Sequence, residues 1–105
     1  MRLTLTTEAE LEASEAAIWY EDRREGLGGD FLTELRGALD RIRQAPQTAA
    51  LLESYAGPYE IRRYRLKRFP YLVIYSCWPA DVIVLAVSHV RREPFYWLDR
   101  LGQPE

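Results

Sequence analysis

The sequence predicts an α+β domain of order β-α-α-β-β-β, a helical hairpin packed on a mainly antiparallel curved sheet. Two runs of helical periodicity lie side by side in the first half, joined by the glycine cluster Gly26-Leu27-Gly28-Gly29. After Gly57-Pro58 the pattern changes to short apolar runs punctuated by proline turns. A helical pair followed by gathered strands is the signature of helices segregated to one face of a sheet. With 105 residues, 48% of them hydrophobic, the chain is expected to form a single domain over 1–105.

The first strand is read from the alternation Arg2-Leu3-Thr4-Leu5. Thr7-Glu8-Ala9-Glu10 reads as a capping box, with a helix from there to about Glu25. Ala9, Ala13, Ala16, Ala17 and Tyr20 fall at three- and four-residue spacing and make its apolar stripe, which Ile18 and Trp19 are expected to widen. The glycine cluster then reverses the chain. Phe31, Leu35, Ala38 and Ile42 renew the helical spacing until Pro46. Residues 47–58 read as a loop. Tyr59–Leu66 is extended but slips in phase, which a bulge near Arg62-Arg63 would explain. Lys67–Pro70 turns the chain. Tyr71–Trp78 and Val82–Val90 are apolar on both faces, as covered strands are, with a hairpin turn at Pro79-Ala80-Asp81. Phe95–Leu101 is expected to form a short terminal helix.

Composition excludes several functions. No apolar stretch is long enough to span a membrane, and the N-terminus lacks a signal peptide's apolar segment. The single cysteine, Cys77, allows no internal disulfide, and with one histidine no zinc site is expected. Phosphate-loop and dinucleotide motifs are absent, so no cofactor is expected. These features point to the cytoplasm.

Charge divides along the chain. Residues 1–60 carry six arginines against twelve acids, whereas 61–105 carry seven arginines and Lys67 against four acids. The second half therefore suits a negatively charged partner, unless the two halves simply attract each other. Its cations gather in two groups: Arg62, Arg63, Arg65, Lys67 and Arg68, then Arg91 and Arg92, with His89, Tyr96 and Trp97 beside the second. Arginine forks and flat rings suit phosphates and splayed bases. Metal-free RNA cleavage would need a base, cationic stabilisers and a proton donor. His89 or Glu60, Arg63 with Arg65, and Tyr96 or Arg91 are candidates for these roles. Equally, alternate arginines can be a solvated strand face, and Tyr96 and Trp97 packing plugs. Cys77, inside a strand, reads as an inert small hydrophobe.

Four stretches carry a resemblance. They are Ala16–Glu21, Gly28–Leu32, Ile61–Tyr75 and Val87–Trp97. In this order and spacing the chain resembles the RelE/ParE superfamily of bacterial toxins, most closely the ParE-like proteins of plasmid stabilisation type. The resemblance implies the β-α-α-β-β-β fold and a toxin of a type II toxin–antitoxin pair, arresting growth until bound by a cognate antitoxin in a hetero-oligomer. RelE-like members cut ribosome-bound mRNA; ParE-like members bind DNA gyrase. If the chain is RelE-like, Arg63, Arg65, His89, Arg91 and Tyr96 take the catalytic positions. Arg62, Lys67, Arg68, Arg92 and Trp97 are the expected contacts to target or antitoxin. Val90 follows His89 where cleaving relatives place a tyrosine, and Lys67 is the only lysine. Both favour the ParE-like reading, with an inactive antitoxin-binding relative as a third.

Overall fold

The computed structural model describes residues 1–102. The chain runs β1 (Arg2–Leu5), α1 (Thr7–Arg23), α2 (Leu27–Gln44), β2 (Ala50–Leu51), β3 (Glu60–Arg65), β4 (Tyr71–Cys77) and β5 (Asp81–His89), with 3-10 turns at Pro46–Thr48 and Leu98–Arg100. The sheet order is β1-β5-β4-β3-β2. From β1 at one edge the helical hairpin carries the chain over the sheet to β2 at the other edge. An antiparallel meander then returns it, and β5 lies parallel to β1. The expected α+β architecture is the observed one, with one strand more: β2 pairs with Arg62 and Arg63 inside the segment read as a loop. Two residues are too few to show an alternation.

Helix α1 starts on Thr6, one residue before the expected capping box. The Thr6 hydroxyl accepts from the Ala9 backbone N–H at 3.1 Å and is buried, so the cap belongs to the core. The helix ends at Arg23, short of Glu25. Gly26, at φ 88°, adopts the left-handed backbone that the reversal needs. It has no side chain to cap α2, and Glu21 of α1 takes over that task. Its carboxylate accepts from the N–H groups of Gly26 at 2.9 Å and Gly28 at 3.0 Å. A Cβ on Gly28 would lie 2.4 Å from the Ala17 carbonyl oxygen. Gly28→Ala should therefore push the helices apart and destabilise the fold by about 1–3 kcal/mol, read as a lower urea midpoint; an unchanged midpoint contradicts this packing.

The sheet has a core on each face. On the helix side the alanine stripe of α1 and Phe31, Leu35, Ala38 and Ile42 of α2 pack over Val73, Tyr75, Val82, Val84 and Val87. Tyr20, Phe31, Phe69 and Tyr71 form an aromatic cluster, with adjoining centroids 4.8–6.2 Å apart, that anchors the β3–β4 turn. On the opposite face Ile61, Ile74, Leu85 and Ala86 pack against Trp97. This second core corrects the reading of β3. Its register against β4 is unbroken, without a bulge at Arg62-Arg63. Ile61 and Leu66 fall out of phase because each faces a different core.

The irregularity lies between β4 and β5: Ile74 pairs with Ala86 and Tyr75 with Val84, so Leu85 is extra. Beyond it the faces exchange, because a bulge shifts a strand's alternation by one residue. Within the terminal segment expected to form a short helix, Leu98–Arg100 forms a single 3-10 turn. Phe95 takes φ 63°, a left-handed geometry of some local cost in a bulky residue. Its ring lies 6.0 Å from that of Trp97, which is buried.

Candidate partner-binding surface

Cross-strand pairing assigns the basic residues to faces. Arg63 lies opposite Ile74 and Arg65 opposite Leu72, on the face away from the helices. Arg62 lies opposite Tyr75, on the helix face. There it is consumed by structure: it pairs with Glu60 at 2.7 Å and donates to the carbonyls of Gln47 and Ala49. The Glu60 hydrogen bond holds its pKa above the ordinary arginine value despite the opposing cost of burial. Arg68 reaches Asp30 at 3.4 Å, and the backbone N–H groups of Lys67 and Arg68 both donate to Glu34 of α2. The side chains of Arg63, Arg65, Lys67 and Arg91 are exposed and make no hydrogen bond or ion pair among the described residues.

On the face away from the helices a groove of about 270 Å³ is lined by Leu72, Ile74, Arg92, Glu93, Phe95 and Trp97 among others, and Arg63 and Arg65 lie on the strand beside it, paired with Ile74 and Leu72. The Arg92 guanidinium stacks on Tyr96, 3.8 Å from the ring centroid. Trp97 is core here, not an exposed contact. The face thus offers an apolar groove with Arg92 in its wall and the exposed Arg63 and Arg65 on the adjoining strand, an arrangement suited to an acidic, partly apolar segment.

The candidate cleavage residues are spread more widely. His89 ends β5 at the rim of that groove, but its ring turns elsewhere. Because of the bulge, it pairs with Tyr71 on the helix face, opposite to Arg63 and Arg65. Its ring meets Tyr71 edge-on at 5.2 Å, and its Nδ1 accepts from the Arg91 backbone N–H at 3.1 Å. Plain alternation along β5 would put His89 on one face with Ile83, Leu85 and Val87; the bulge leaves it sharing a face with Val87 but not with Leu85. Glu60 is held by Arg62. The Tyr96 hydroxyl donates to Glu12 of α1 at 2.8 Å, and burial raises its pKa.

Glu12 and Arg100 are the residues that sequence reasoning missed. Arg100 grips Glu12 with two bonds of 3.1 Å and also donates to the Leu85 carbonyl at 2.9 Å. Glu12 in turn accepts from the Val87 backbone N–H at 3.0 Å. The pair therefore satisfies the backbone groups flanking the bulge. Burial would lower the Arg100 pKa, but Glu12 more than offsets it and leaves it raised. A signal was present: Glu12 lies three residues from Ala9 and four from Ala16, on the buried side of α1, where a carboxylate requires a partner.

Cys77 is half-buried at the end of β4, and burial, with the nearby Glu60 charge, pushes its thiol up to about 11. Native protein should resist alkylation at pH 8 and react faster only as the pH nears that value. At this thiol the unfolded chain loses its proton near 9 while the folded chain retains it, so stability should fall as the pH rises from 9 towards 11. A flat urea midpoint across that window contradicts the shift.

A family model described as the ParE toxin of type II toxin–antitoxin system, parDE, matches residues 2–94. The chain belongs to the ParE toxin family. A solved structure from the "Chromosomal ParDE TA system from P. aeruginosa" shares the fold at TM-score 0.62 and 15% identity, covering 85% of this chain and 95% of that one. No curated protein matches the chain. This ParE-family chain is thus the toxin component of a type II system. Among its described residues no helix is long and apolar enough to cross a membrane.

Proposed function

We propose that this ParE-family toxin arrests growth in the cytoplasm by docking on a protein target, DNA gyrase, and that a cognate antitoxin neutralises it through an acidic segment on the Arg63–Arg65 face. The observation carrying the docking reading is the dispersal of the groups that RNA cleavage would need. Arg63 and Arg65 lie on one face and the His89 ring meets Tyr71 on the other, while the Tyr96 hydroxyl is engaged by Glu12. A base, stabilisers and a donor that do not surround one phosphate give no general acid–base catalysis. Guanidinium groups without a partner among the described residues, beside an apolar groove, support the antitoxin seat. So does the structural likeness to a chain from a ParDE system.

The test is induction in a host without the antitoxin, followed by mapping of transcript ends. Growth arrest with intact transcripts is expected. Codon-phased cuts, lost in Arg65→Ala or Tyr96→Phe, would instead establish a RelE-like nuclease. Normal growth at high expression would mark an inactive antitoxin-binding relative.

A further inference from the structure

Helix α1 is built inside out. Its buried face is made of alanines at positions 9, 13, 16 and 17, while Leu11, Ile18 and Trp19 stand 57%, 61% and 51% exposed. Each large apolar side chain left in water forgoes part of the free energy that burial would supply, and a group of them on one face marks a docking surface. Leu11 and Ile18 stand two turns apart, and the exposed Ser14 lies between them, so the three follow the i, i+3, i+7 spacing of a helix seam. The short Ser14 side chain leaves a gap between the two apolar ones, into which a partner's larger side chain can fit. Glu10, Glu15 and Asp22 flank that seam, exposed and without a hydrogen-bond or ion-pair partner for their carboxylates among the described residues. They stand where flanking charges in paired helices choose the partner. Trp19 adds a flat ring that already accepts a guanidinium, that of Arg23, 3.3 Å from its centroid. Beside the seam, Glu15 and Trp19 line a cleft of about 550 Å³ together with Tyr71, His89 and Arg92, whose guanidinium is turned onto Tyr96.

We propose that the outer face of α1 is a docking surface for an amphipathic helix of a partner protein, apolar along its seam and flanked by lysine or arginine. Charge complementarity selects this occupant. A second copy would set Glu10, Glu15 and Asp22 against the same carboxylates, and like charges facing across a helix pair are unfavourable. The acidic segment suited to the Arg63–Arg65 face is disfavoured here for the same reason. The surface is thus separate from that face and does not depend on its assignment.

The probe is a synthetic helix of about three heptads with leucine at the seam positions and lysine at the flanking ones. A second peptide carries glutamate at the flanking positions. Each is fluorescently labelled and titrated with the full chain at low salt, and anisotropy is read. The basic peptide should bind at least about tenfold more tightly than the acidic one, and weaken as salt is added. Ile18→Glu should reduce that binding about tenfold or more while the circular dichroism spectrum is retained, because the substituted site faces water. Equal affinity for both peptides, no binding of either, or binding unaffected by Ile18→Glu would overturn the proposal. So would a concentration-dependent dimer, seen by sedimentation, that Ile18→Glu dissolves, since this would assign the face to a second copy.

Discussion

Glu12→Ala should lower the stability of the folded chain by about 3 kcal/mol, the largest single-site loss expected outside the apolar cores. The Glu12 and Arg100 side chains are only 14% and 12% exposed, so water replaces little of what is lost. The substitution leaves the Arg100 charge without its carboxylate, the Val87 N–H unpaired and the Tyr96 hydroxyl without its acceptor. A buried pair broken on one side costs more than the pair contributes, because the remaining charge has no compensation. Glu12→Leu combined with Arg100→Met should therefore recover only the part of the loss due to the stranded Arg100 charge, since the Val87 N–H and the Tyr96 hydroxyl stay without their acceptor. Glu15→Ala, on the outer face of the same helix, should change stability by less than about 0.5 kcal/mol. Urea unfolding with unchanged slope gives the comparison. A loss below about 1 kcal/mol for Glu12→Ala would mean that the network does not hold the bulge and the terminal segment together.

Charge reversal at Arg63 and Arg65 should have the second large effect, on association and not on folding. Both side chains are exposed and make no ion pair among the described residues, so the fold has little to lose. An acidic segment would lose two attractive contacts and meet two like charges, which costs several kcal/mol at an interface. The double variant Arg63→Glu with Arg65→Glu should bind the cognate antitoxin about 100-fold or more weakly, with a urea midpoint close to that of the wild type. Arg62→Ala should do the reverse. It breaks the ties to Glu60, Gln47 and Ala49, and its main effect is lost stability. Antitoxin affinity unaltered in the double variant at low salt would remove the Arg63–Arg65 face from the partner surface.

The fold was legible because its main signals are local. The alanine and Phe31–Ile42 stripes, the glycine reversal and the proline turns each specify one element, and their order leaves few topologies. What misled the reading was non-local. Ile61 looks like a phase error until Trp97, far along the chain, supplies a second core. The bulge at Leu85 has no signature within β5, since both faces are apolar there, yet it decides which way His89 faces. Ile18 and Trp19 were expected inside because large apolar residues near a stripe normally are. The alanines already fill that narrow interface, leaving the larger side chains outside. Among the cations, sequence spacing separated the two groups but not the engaged from the free. Arg62 and Arg63 are neighbours, and strand alternation alone sends one into the structure and the other to solvent.

Adding purified chain to DNA gyrase and following supercoiling of a relaxed plasmid tests the docking most directly. Blocked supercoiling with an accumulation of gyrase-cleaved DNA is the predicted result. Unimpaired supercoiling at a large molar excess of correctly folded toxin would contradict it.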